Sequence, residues 1–325
     1  MLKKITFSFI LFSLSVFSQT KFAGIEFNTR EIKVLVIETK SENAKEFKLK
    51  NFWTDPTYVI QNEDRLIMVR KITEGLIANF QKAKLEQNVE IDKIFIIGEV
   101  ALFSESEMVA IQKDLLKNKI SNIDFLDNKK SSKYLFDGLF ANVNKEDVFL
   151  INSNENQTTF CGYNKKNEFV SGSLQNSSFS KIDFLLDATK ITEYTNLNDN
   201  IKQLFYYHDN LKDKSAMYLS GEFAWASYTL INGGSIDKEF NPIELGDLEK
   251  HQNSLEKKFN RYEVLASANI EAEKVMSYYT KNELTVGNKL LMEILKNASV
   301  FKETVQYCKH AHRAKLANYL SCKIQ

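Results

Sequence analysis

The stretch from Ala23 to Glu38, AGIEFNTREIKVLVIE, constrains the fold more than any other part of the chain. Gly24, Ile25 and Phe27 read as a buried strand, Asn28, Thr29 and Arg30 as a tight polar turn, and Ile32 to Ile37 as the returning strand, with β-branched residues dominating. That is the shape of a phosphate-loop hairpin. From Asp147 the run VFLINSNENQTTFCGYN gives another strand, polar turn and strand, so the layout of the first hairpin repeats.

Between the hairpins, Glu46 to Trp53 reads as a further strand. Arg65 to Leu85 carries apolar residues at helical spacing over twenty residues, Lys93 to Gly98 (KIFIIG) reads as a strand buried on both faces, and Ile120 to Leu126 as the next strand. A helix is expected from Ser104, capped with Glu107 three residues on, and another over Ser131 to Phe140. In the second half, Phe169 to Leu174 and Met217 to Ser220 read as strands, the latter ending at Gly221. Helices are expected near Ile182 to Leu186, over Ile201 to Asp209 and over Glu222 to Ile231. From Pro242 to Lys323 the pattern is almost entirely helical, with Leu248, Leu255, Phe259, Tyr262 and Leu265 on one stripe.

The first loop resembles that of the exopolyphosphatase and guanosine pentaphosphatase (Ppx/GppA) family, part of the actin-like ATPase superfamily, whose loop reads roughly G-I-D-x-G-[ST]-N-S-x-[RK]. Gly24, Ile25, Thr29 and Lys33 match; Glu26 stands for the Asp, Asn28 for the Gly, and Arg30 and Glu31 for Asn-Ser. The resemblance implies an α/β fold of two actin-like (ribonuclease H-like) domains facing a cleft, with a helical C-terminal portion. The division it implies is a first domain over 19–145 and a second over 146–325.

Most of the family's chemistry is eroded. Its second loop, D-I-G-G-G-S-T-E, falls on Asn152 to Thr159, where only Thr158 survives, Asn152 replaces the metal-binding Asp, and Glu155 puts a negative charge where phosphate would sit. Asn154 and Asn156 tolerate left-handed turns and can keep the backbone shape. The arginine that the family aims at its substrate falls on Phe103, and the glutamate that positions the attacking water on Lys130 or Ser131, with Gly138 preserved. Neither replacement accepts a proton readily at neutral pH. Gly221 follows its strand as in the family's G-T-G-G-T, but Glu222, Phe223 and Ala224 replace the small residues.

With 43 basic and 42 acidic residues, the chain has no electrostatic pull toward nucleic acid or an anionic membrane. Lys3 and Lys4, the apolar run from Ile5 to Phe17 and the small residue Ser18 before Gln19 make a secretory leader over 1–18, too short to span a bilayer. The expected destination is the periplasm or the exterior of a bacterium, with no membrane span after cleavage. Of the three cysteines, Cys308 and Cys322 either pair between a helix and the tail or, if both lie on one straight helix, stand about 21 Å apart and stay free. Cys308 and His312 are four apart and would share one helix face, while His208 beside Asp209 reads as a helix-end histidine packed by tyrosines.

The expected cleft lining is Glu26, Asn28, Thr29, Arg30, Asn152, Asn154, Glu155 and Thr158, with no catalytic group assigned and Glu26 as the one candidate metal ligand. The expected protein is a degenerate exopolyphosphatase relative that binds an unidentified ligand or envelope protein; the resemblance also implies a homodimer through the second domain. The alternative is a working divalent-metal phosphatase, dependent on magnesium, with Glu26 and Glu99 or Glu155 taking over metal and base duties. A third reading, an interaction module in the cell envelope, predicts a large exposed apolar stripe over 245–298.

Overall fold

The computed structural model describes residues 19–39, 46–59, 63–154, 157–174, 185, 191–207, 214–234, 238–298 and 305–324. The expected leader over 1–18, Glu155, His208 and most of the helix expected near Ile182 lie outside the described residues.

Strands β1 (Thr20–Phe27) and β2 (Glu31–Thr39) form the expected hairpin, in antiparallel register with Glu26 opposite Lys33. With β3 (Phe47–Pro56), β4 (Ile94–Glu99) and β5 (Ile123–Leu126) they build a five-stranded sheet in the order β3-β2-β1-β4-β5. The second hairpin, β6 (Val148–Ser153) and β7 (Thr158–Tyr163), sits in a six-stranded sheet with β8 (Phe169–Ser173), β9 (Ala216–Ser220), β10 (Phe240–Pro242) and β11 (Gln306–Cys308). Its order is β10-β11-β9-β6-β7-β8, the first sheet's order read backwards with β10 added at the edge.

Helix α1 (Arg65–Leu85) starts where Asp64 accepts from the Leu66 and Ile67 amides, and it lays Met68, Ile72, Leu76 and Phe80 on the first sheet. α2 (Glu105–Lys117) carries the expected capping box of Ser104 and Glu107. α3 (Asn128–Leu139) belongs by sequence to the first half but packs Leu135, Phe136 and Leu139 with Val148, Leu150 and Cys161 of the second sheet. In the second half, α4 (Ile191–Lys202) and α5 (Glu222–Ile231) are followed by α6 (Leu245–Lys257), α7 (Asn260–Ala268), α8 (Ile270–Tyr278) and α9 (Lys281–Asn297). The last helix, α10 (Ala311–Ile324), crosses back and buries Leu316, Tyr319 and Leu320 against Leu35, Ile37 and Ile97 of the first sheet.

The two crossing helices touch at Gly138, where a Cβ would lie 2.2 Å from the Ala314 carbonyl oxygen, so only glycine allows the approach. This contact brings α10 to the cleft.

Three expectations need correction. The last third is not continuous helix: β10 and β11 add a strand pair to the second sheet, and the stripe from Leu248 to Leu265 is divided between α6 and α7. Cys308 ends β11 before α10 begins at Ala311, so it shares no helix with His312, and Cys161, Cys308 and Cys322 are all free thiols. Over 245–298 the exposed large aliphatic side chains are Val264 and Ile270, isolated residues rather than a stripe. Among the described residues, no helix is long and apolar enough to cross a membrane.

Candidate functional site

The ends of β1 and β6 meet between the halves, together with the end of β4, the start of α5 and the start of α10. They enclose a cavity of about 30 Å³ lined by Glu26, Asn28, Thr29, Glu99, Asn152, Asn154, Glu222, His312 and Lys315, among others. That volume suits a few waters or one small ion.

Its centre is an ion cluster. Lys315 Nζ lies 2.6 Å from Glu26 Oε1 and 2.6 Å from Glu99 Oε1, while His312 Nδ1 lies 3.2 Å from Glu26 Oε2. Ser131 Oγ donates to Glu99 Oε1 at 2.6 Å. Burial, the largest single influence, would push the Glu26 carboxyl up, but Lys315, His312 and Lys33 together outweigh it and hold the group well below the usual carboxylate range. Glu99 is likewise pushed up by burial and brought down further by Lys315 and Ser131. Lys315, pushed down by burial, ends above its ordinary value because both carboxylates favour its charge. Glu26, Glu99 and Lys315 are thus all ionised, two carboxylates sharing one ammonium.

Around it, polar side chains tie the halves together. Asn28 Oδ1 accepts from the Arg30 and Glu31 amides at 2.8 Å each, which shapes the turn, and its Nδ2 donates to Glu222 Oε1 at 2.6 Å. Gly221 precedes α5 at φ +94°, where a Cβ would lie 2.5 Å from the Ser153 carbonyl oxygen. The Glu222 amide beyond it donates to Asn154 Oδ1 at 3.2 Å, and Asn152 Oδ1 accepts from Ser220 Oγ at 2.9 Å. Asn128 and Gln157 exchange two side-chain hydrogen bonds, at 3.0 and 2.7 Å.

Of the expected lining, Glu26, Asn28, Thr29, Asn152 and Asn154 come together. Arg30 does not: its guanidinium donates to the Tyr278 carbonyl and to Glu283 Oε1 at 2.9 Å and lies 4.6 Å over the Tyr279 ring, so it bolts the turn to the junction of α8 and α9. Thr158 is 0% exposed, its Oγ1 3.1 Å from Ser153 Oγ, because register with β6 points it into the sheet's inner face. Lys315 and His312 were not expected there. The readable sign was Ala311, Lys315 and Tyr319 at i, i+4, i+8, which sets a lysine in the middle of the buried face of α10.

As a metal ligand, Glu26 does not fit. A divalent ion between Glu26 and Glu99 would occupy the place held by Lys315 Nζ, a cation buried with them. Among the described residues, no group of three or more His, Cys, Asp or Glu side chains is placed to hold a metal.

No family profile matches the sequence. Toxin A of Clostridium novyi is 28% identical over 178 residues, covering 50% of this chain and 8% of that protein, so this chain spans less than a tenth of the toxin's length. Solved structures share the fold. An exopolyphosphatase from Cytophaga hutchinsonii superposes with a TM-score of 0.65 at 10% identity, over 94% of this chain and 99% of that one. The Aquifex aeolicus PPX-GPPA enzyme gives 0.64 at 8% identity, over 94% and 99%. The chain therefore has the fold of the Ppx/GppA exopolyphosphatases: two actin-like α/β halves facing a cleft, with a helical C-terminal portion.

Proposed function

We propose that this chain is an exported exopolyphosphatase-like protein that has given up phosphoanhydride hydrolysis and serves as a ligand-binding or scaffolding protein. The carrying observation is Lys315 Nζ at 2.6 Å from both Glu26 and Glu99. A divalent ion could reach those carboxylates only by displacing a buried ammonium, and that would leave the cation uncompensated. The loops add to this: the Glu222 carboxylate stands against the first turn through Asn28, repelling a phosphate. Export, expected from residues 1–18, would also separate the protein from cytoplasmic nucleotides.

The test is phosphate release from polyphosphate and nucleoside polyphosphates by the mature protein with magnesium or manganese, beside Glu26→Gln. We expect equal, background release from both. Release by the native protein that the variant loses would establish the second reading, a divalent-metal phosphatase. One observation favours that reading: Glu99 reaches within 2.6 Å of Ser131, where the family resemblance places the water-positioning glutamate.

A further inference from the structure

Beside the small cavity, and sharing Glu222, Ala311 and His312 with it, lies a much larger one of about 710 Å³. That is the size of sites for small organic ligands, about 300–1,000 Å³. Its walls come from both halves. Phe52 and Trp53 enter from β3, Trp225 from α5 and Tyr307 from β11. The chain has two tryptophans, and both line this cavity, one from each half.

Each indole is fixed from another side. Trp53 Nε1 donates to Asn79 Oδ1 at 2.7 Å with Lys82 Nζ 4.9 Å from its ring, and Trp225 packs on Tyr278 with ring centroids 6.1 Å apart. Rings held this way lose little freedom when a flat ligand stacks on them.

The acidic side chains of the lining each have a partner, and the Glu271 carboxylate also lies close enough to favour the Arg313 charge. Glu31 is paired with Lys33 at 2.6 Å, Glu271 with Lys274 at 3.1 Å, and Glu222 accepts from Asn28 at 2.6 Å. The segment leading into α10 brings Lys309, His310 and Arg313. The Arg313 guanidinium lies 4.3 Å over the Phe52 ring, and its N–H donors find no acceptor among the described residues. Burial first, then the charges of Arg313 and Lys309, push His310 down to about 4, the mark of a positive wall.

We propose that this cavity, rather than the pocket between the phosphate loops, is the ligand site, and that it takes a planar aromatic anion stacked between Trp53 and Trp225 with its acidic group on Arg313. The assignment rests on the ligand-binding reading of the protein and names the ligand class. A phosphate chain is the poorer fit, because four aromatic rings offer it nothing, while Arg313 stacked on Phe52 presents one open edge for a single acidic group.

The probes are 8-anilinonaphthalene-1-sulfonate and N-phenyl-1-naphthylamine, the same ring system without the sulfonate, titrated into the mature protein with tryptophan emission and calorimetry as readouts. The sulfonate is expected to bind once per chain and quench the tryptophans. Arg313→Gln should weaken it about tenfold and leave the uncharged analogue within about twofold; Trp225→Leu should weaken both. Arg313→Lys, which keeps the charge, serves if the glutamine variant unfolds, and it should retain most of the sulfonate affinity. Unsaturable binding, affinities unmoved by both Arg313→Gln and Trp225→Leu, or displacement of the probe by tripolyphosphate at lower concentration would each overturn the assignment. Failure here with background phosphate release removes the cavity assignment and leaves the non-hydrolytic reading standing. Phosphate release with intact probe binding does the reverse.

Discussion

At the end of β1 the chain carries Glu26, and at the matching end of β6 it carries Asn152. Glu26 is held by the Lys315 ammonium at 2.6 Å and by contact with His312 Nδ1 at 3.2 Å, both on a helix that returns from the far end of the sequence. Asn152 accepts one neutral hydrogen bond, 2.9 Å from Ser220 Oγ on the neighbouring strand. The two halves repeat one sheet order, yet the first hairpin depends on a distant cation and the second on local backbone shape. The matching strand ends thus differ in kind: the first keeps a carboxylate and compensates it in place, while the second carries a neutral amide.

The sharpest way to break this contrast is Lys315→Met. It leaves two buried carboxylates side by side without their cation, which should destabilise the protein by about 3–5 kcal/mol at pH 7. The pH dependence should also reverse. In the native protein Glu26 and Glu99 have lowered folded-state pKa values, so their stabilisation is present above the unfolded value, near 4.5, and is lost as pH falls through the lower folded values. In the variant, unpaired burial raises them, so acidification toward pH 5 should restore stability. Urea melts at pH 7 and pH 5 read both effects, and a variant midpoint matching the native one at pH 7 would show that the cluster contributes no net stability.

The second hairpin should answer to Gly221→Ala instead. At φ +94° with a Cβ 2.5 Å from the Ser153 carbonyl and 2.6 Å from Asn154 Oδ1, alanine strains the backbone and pushes the turn after β6. The expected loss is about 2–4 kcal/mol, with no pH dependence between 5 and 7. A pH-dependent loss at this position would mean that the halves are coupled through charge after all.

How much of this was legible follows from where each interaction lives in the chain. The hairpins, α1 from Arg65 to Leu85 and the capping box of α2 are written in neighbouring residues, so periodicity and caps reveal them. β11 is three residues long and owes its existence to β9 and β10, more than sixty positions away, so no local pattern marks it. Replacement of the phosphate-loop residues could be read at Asn28, Asn152 and Glu222. The cation that compensates Glu26 could not, since Lys315 reaches it across 289 positions and only its place on the buried face of α10 betrays it. Arg30 misled for a related reason: its place in the turn put it in the expected cleft lining, but its partner is a helix junction of the other half.

Arg30 also provides the mildest test of the contrast, because it acts at the rim of the first hairpin rather than in its ion cluster. Arg30→Ala removes the 2.9 Å pair with Glu283, the bond to the Tyr278 carbonyl and the stacking on Tyr279. Glu283 keeps the capping contacts of its Oε2 with the Thr280 amide at 2.6 Å and hydroxyl at 2.8 Å, so α9 stays capped and the loss should be about 1–2 kcal/mol. The change should be local: faster amide hydrogen exchange over 28–31 and 277–283, with 150–160 unaltered. Exchange rising equally in the second hairpin would show that one bolt holds both turns, and that the halves differ in charge but not in how they are fastened.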